Sequence, residues 1–135
     1  MSRKRGKGLL AIALASAVLC MGTRIANAEV KESSICGYDI WAETYISESI
    51  AMARTQCESY DALATVDAEF YYVDRDTMDM EAISDSHAAY YCAIVKMDLP
   101  PGNNEAYEIK ADHSVIYAVG TEFGEWGDST SQTLN

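Results

Sequence analysis

The chain has 135 residues, 49% of them hydrophobic, and carries ten basic against 21 acidic residues for a net charge of −11. An acidic field of that size argues against nucleic acid or an anionic membrane surface as partner, since both repel it, and leaves a basic protein or cations. Half-apolar composition, nine tyrosines and dispersed charge belong to a chain that folds rather than to a disordered one.

Residues 1–28 have the three parts of a secretory signal in order. Arg3, Lys4, Arg5 and Lys7 are followed by an apolar run from Leu9 to Met21 and by the small-residue site Ala26-Asn27-Ala28. The run of 13 residues is shorter than the roughly 20 that cross a bilayer as a helix, so cleavage after Ala28 is expected rather than anchoring. Leu19 stands where a lipoprotein signal has a small residue before its cysteine, so Cys20 leaves with the signal. The mature chain from Glu29 then has five basic against 21 acidic residues, a charge of −16, and no membrane span; it is expected to be secreted or periplasmic.

Within the mature chain, Ile46, Ile50, Ala53, Cys57, Tyr60 and Ala64 recur at steps of three and four, which predicts an amphipathic helix over 39–63 capped by Asp39. The period changes to two in 65–74, where Val66, Ala68, Phe70 and Tyr72 alternate with polar neighbours as in a half-buried strand. Residues 75–87 read as a long acidic loop and 88–97 as a central strand. Pro100-Pro101-Gly102-Asn103-Asn104 is a turn, and 105–111 and 115–123 are two strands joined through Asp112-His113-Ser114. Residues 124–135 are expected to trail as a polar tail. The order predicts one α+β domain over 29–123, a helix packed on an antiparallel meander of about four strands.

Three cysteines follow the signal, and an exported protein with three is expected to form one disulfide. On a continuous helix Cys57 lies about 27 Å from its start, beyond the reach of Cys36 given the roughly 7 Å limit between bridged Cα atoms. Cys57–Cys92 is the expected bridge, with Cys36–Cys92 as the alternative. Asp74, Asp76, Asp79, Glu81 and Asp85 concentrate five carboxylates in twelve residues. Their spacing fails the EF-hand pattern, because Met78 and Asp79 occupy a ligand and the glycine position, so the segment reads as a solvated acidic surface. His87 and His113 have no partner at metal-ligand spacing, no nucleophile or phosphate-loop motif is present, and neither metal nor cofactor nor catalytic residue is assigned.

Tyr71, Tyr90, Ile94, Ile116 and Ala118 are expected to share the sheet face away from the helix. With the carboxylates of Asp74, Asp76, Asp79, Glu81 and Asp85 around them, they have the composition of a recognition surface. The expected function is an acidic exported binding protein of inhibitor or immunity type, acting on a basic protein. The rivals are a small isomerase or hydrolase with a pocket between helix and sheet, and a structural envelope component.

Overall fold

A computed structural model describes residues 27–134, in which every regular element is a strand. In chain order these are β1 (Asn27–Ile35), β2 (Tyr38–Ile46), β3 (Ile50–Cys57), β4 (Ala62–Asp74), β5 (Asp79–Tyr90), β6 (Cys92–Asp98), β7 (Asn104–Val119) and β8 (Glu122–Thr133). They form two antiparallel sheets: sheet A, in the order β1-β2-β3-β6, and sheet B, in the order β5-β4-β7-β8. The chain changes sheet after β3, β5 and β6. The consecutive strands β3 and β4 thereby pair with the consecutive strands β6 and β7 in opposite sheets. Residues 1–26 of the expected signal 1–28 lie outside the described residues, and Ala28, the expected last residue before cleavage, sits in β1 opposite Tyr45.

The expected α+β fold is therefore corrected to all-β. The helix over 39–63 is instead β2, a turn at Ser47–Ser49, and β3. In β3 the burial alternates residue by residue, with Ala51, Ala53, Thr55 and Cys57 inside and Ile50, Met52, Arg54 and Gln56 less buried. The helical stripe joins residues of different strands: Ile46, Ala53, Cys57 and Ala64 are buried, whereas Ile50 is half-buried and Tyr60 is exposed. In β2 both faces are buried, so no alternation appears at all. Its Ile, Trp, Thr and Tyr residues favour the extended backbone. The β2–β3 turn is held by the Ser47 hydroxyl, which accepts the Ile50 N–H at 3.2 Å. At the β1–β2 turn Cys36 and Gly37 both have positive φ (48° and 82°), the two-residue geometry whose twist matches a hairpin.

Three further expectations change. Residues 75–87 are not a loop but a short turn followed by β5. The two strands expected at 105–111 and 115–123 are the single strand β7, and the supposed tail supplies most of β8. The strand at 65–74 is β4, with Ala62, Ala64, Val66, Ala68 and Phe70 inward and the intervening residues outward. Together with Ile109, Ala111 and Val115 of β7 and Ala93 and Val95 of β6 they build an alanine-rich core, in which small side chains bring the two sheets close.

Polar side chains close both seams of the sandwich. On one side, β1 turns Lys31 onto β8, where its ammonium meets the Ser129 carbonyl at 2.6 Å and Asp128 at 3.2 Å. Glu29 accepts the Ser131 N–H at 3.4 Å. On the other, His87 of β5 accepts the Ile94 N–H of β6 through Nδ1 at 3.3 Å. Unpaired edge groups that would otherwise template another strand are covered in this way.

Candidate functional site

The outer face of sheet B divides into a polar half and an aromatic half. In the polar half the cross-strand rows are Ser86–Asp67–Asp112–Ser129 and Ser84–Glu69–Lys110–Ser131. With Glu29 and Lys31 reaching over from β1, these rows line an open groove of about 800 Å³. Tyr71 lies next along the same face of β4: its hydroxyl donates to Glu69 at 2.9 Å, and Lys110 lies 5.4 Å from its ring centroid. The Ser129 hydroxyl donates to Asp112 at 2.6 Å. Its backbone N–H and the ammonium of Lys31 together lower the Asp128 carboxyl below its usual range.

Beyond the row Ala88–Thr65–Ser114–Gly127 the face becomes apolar. Tyr90, Leu63 and Ile116 stand side by side across β5, β4 and β7, and Ala118 faces Phe123 across β7 and β8. Tyr60, just before β4, stacks on Tyr91 with ring centroids 4.6 Å apart, and the Tyr91 hydroxyl accepts from Gln56 of sheet A. Tyr60 is 80% exposed, Tyr90 66% and Phe123 64%, values that leave these rings without cover. Asp61, Glu122 and Glu125 are the charged residues on the neighbouring positions. The five basic side chains of the described residues lie elsewhere: Lys31, Arg54, Arg75 and Lys110 each pair with a carboxylate, and Lys96 belongs to β6 in sheet A.

Of the residues singled out from sequence, Tyr71, Tyr90, Ile116 and Ala118 share the outer face of sheet B, with Tyr71 in its polar half. Ile94 does not join them, because β6 is in sheet A. The five acidic residues do not converge. Asp74 ends β4, Asp76 lies in the turn, where it accepts from Asn103 at 3.1 Å, and Asp79, Glu81 and Asp85 are spread along β5. Among the described residues no group of three or more His, Cys, Asp or Glu side chains is placed to hold a metal ion. Sequence reasoning missed Tyr60, Leu63 and Phe123. Tyr60 had been assigned to the helical stripe, and the other two sat at the ends of expected elements.

The expected Cys57–Cys92 disulfide is not seen in the structure, where the three described cysteines are free thiols. Cys92 pairs with Gln56, the neighbour of Cys57, so Cys57 and Cys92 leave sheet A on opposite faces. Burial pushes the Cys57 thiol up to about 11 and that of Cys92 also upward, which disfavours the thiolate at both.

His113, expected in a turn, is in the middle of β7 with its ring in the core. The Thr55 hydroxyl donates to the Thr65 carbonyl at 2.9 Å, so its oxygen accepts the His113 Nδ1–H at 2.7 Å. Nε2 is left to accept the Thr130 hydroxyl at 2.7 Å. Burial holds this imidazole down at about 4, outweighing the attraction of Asp112 and Asp128.

The fold defines a Greek-key β-sandwich. Sheet A, β1-β2-β3-β6, packs on sheet B, β5-β4-β7-β8, and the chain crosses between them three times. No protein-family model matches the chain, and no curated protein matches it. No helix of the described residues is long and apolar enough to cross a membrane.

Proposed function

We propose that this is an exported, non-enzymatic binding protein that engages a basic protein through the outer face of sheet B. The observation that carries the reading is the row Tyr90, Leu63 and Ile116 at one end of the face, with Phe123 on the same face of β8, where Tyr90, Ile116 and Phe123 are exposed, Glu125 stands opposite Ile116 and no basic residue lies in these rows. Exposed aromatic rings in one contiguous area mark an interaction surface, because water leaves them favourably only when a partner covers them. The mature charge of −16 selects a cationic partner and speeds its approach. A role of inhibitor or immunity type, in which a small acidic protein occludes a basic one, uses both features.

The enzyme reading has less support. Carboxylates and lysines that could serve as acids or bases do line the groove, but it is wide open, its Asp112 and Glu69 carboxylates already accept from Ser129 and Tyr71, and the His113 ring faces the core. The test is capture of partners by the exported protein at low salt, followed by surface plasmon resonance with wild type and with Tyr90→Ser/Phe123→Ser. The expected result is a basic partner whose binding falls steeply with salt and is lost in the double variant. Binding that is insensitive to both overturns the reading.

A further inference from the structure

The outer face of sheet A is buried where an outer face should meet water. Pairing puts Trp41, Glu43 and Tyr45 of β2 on that face, level with Gln56, Arg54 and Met52 of β3, while Ala51, Ala53, Thr55 and Cys57 point between the sheets. Trp41 and Tyr45 are each 1% exposed and are the two largest fully buried side chains of the described residues, yet neither belongs to the apolar clusters between the sheets. Glu43 is buried with them and pairs with Arg54 at 3.0 Å. Burial raises its carboxyl above the usual range despite that partner.

Neighbouring side chains do not supply this cover. On the same face Val30 of β1 is 45% exposed and Ile94 of β6 44%, and Ile50, Met52, Arg54 and Gln56 of β3 are half-buried. Burial is thus complete along β2, partial along β3 and lost at both edge strands, the footprint of a single segment laid along β2. Among the described residues no strand lies over this face, since sheet B packs on the other. The indole Nε1 of Trp41 is buried without a hydrogen-bond partner, so what covers it is apolar rather than water.

We propose that the cover is the apolar run Leu9–Met21 of this same chain, and that cleavage after Ala28 strips it away and bares a second apolar face of Val30, Trp41, Tyr45, Met52 and Ile94 on the exported protein. The chain enters in the right place. Ala28 stands opposite Tyr45, so the segment before β1 begins at the rim of the face, beside a residue that is covered. Residues 22–26 separate the run from β1 and reach up to about 17 Å when extended, against about 10 Å from β1 across to β3. The run is 13 residues long, at least about 20 Å, while Trp41 and Tyr45 are about 13 Å apart along β2. Its Leu, Ile, Val and Ala side chains offer the indole no acceptor. The inference uses the expected cleavage but concerns sheet A, and it stands or falls apart from the partner proposed for sheet B.

Acrylamide quenching of Trp41 tests it, in a Trp126→Phe background that leaves Trp41 as the sole indole. In the 1–135 chain, produced without export, Trp41 is expected to emit at short wavelength and resist quenching. In the exported 29–135 protein its emission should shift to the red and its quenching rise several-fold. Ile12→Asp/Leu14→Asp in the 1–135 chain should expose Trp41 to the same extent. Equal protection in the long and short chains, or no effect of the double variant, overturns the proposal. Should Trp126→Phe or the short chain fail to fold, hydroxyl-radical footprinting of the 1–135 chain decides: more oxidation of Trp41 and Met52 in Ile12→Asp/Leu14→Asp than in wild type supports the cover, and equal oxidation overturns it.

Discussion

Asp67 on β4 and Asp112 on β7 stand directly opposite each other in the floor of the groove, two carboxylates in one cross-strand pair. Asp112 is tied to the Ser129 hydroxyl, but like charges at this spacing repel. Asp67→Asn should therefore stabilise the fold by about 0.2–1 kcal/mol, measured by urea denaturation. It should also slow association with a basic partner. A loss of stability would mean that Asp67 makes a structural contact that outweighs the repulsion.

The pH dependence of global stability has its sign set by His113. Its folded value, about 4, lies below the ordinary 6.5, so the unfolded chain binds more protons between the two. The stability due to the neutral ring is complete above about pH 6.5 and is lost as pH falls towards 4. The full difference is about 3 kcal/mol. Denaturation at pH 7 and pH 4 measures it, and in His113→Gln the step should be absent.

Thiol titration separates the three cysteines. Cys36 is exposed at the β1–β2 turn, Cys57 is buried and Cys92 is half-buried. Under native conditions one thiol should react quickly with an aromatic disulfide reagent, and three should react after denaturation. Fewer than three in the denatured mature protein would mean that a bridge forms after all.

Gly124 lies where β8 crosses the first hairpin, and a Cβ there would meet Ile35 Cγ1 at 2.7 Å and Cys36 Sγ at 3.0 Å. Ile35 is buried and cannot swing aside freely. Gly124→Ala should cost about 1–3 kcal/mol by overpacking, read as a lowered denaturation midpoint. Gly127→Ala, whose nearest contact is at 3.5 Å, should cost less by that route.

The aromatic half of the face makes a prediction of the opposite kind. Tyr90→Ser and Phe123→Ser remove rings that are already in water, so stability should change by no more than about 0.5 kcal/mol each. A larger loss would show that the rings pack in the free protein and are not held in reserve for a partner.

Read from the residues alone, this chain already has its acidity, its half-buried strand β4 and its turn at Pro100–Asn104. Composition and short-range alternation report such features directly, and Val66, Ala68 and Phe70 are buried as their spacing requires. The same signals misled over 39–63, because the buried Ile46, Ala53, Cys57 and Ala64 of three different strands fall at spacings of four and seven, and a strand buried on both faces has no period to read. Only the tertiary structure decided that β5 and β8 are strands. Both lie at sheet edges and are almost uncovered, so their extended form comes from backbone bonds to β4 and β7 rather than from any pattern of their own side chains. It also decided that His113 is buried and that Leu63, Tyr90, Ile116 and Phe123 lie at one end of one face. These residues are up to 60 positions apart, and what brings them together is the pairing of β4 with β5 and β7 and of β7 with β8, of which the β4–β7 pairing has no local sequence signal.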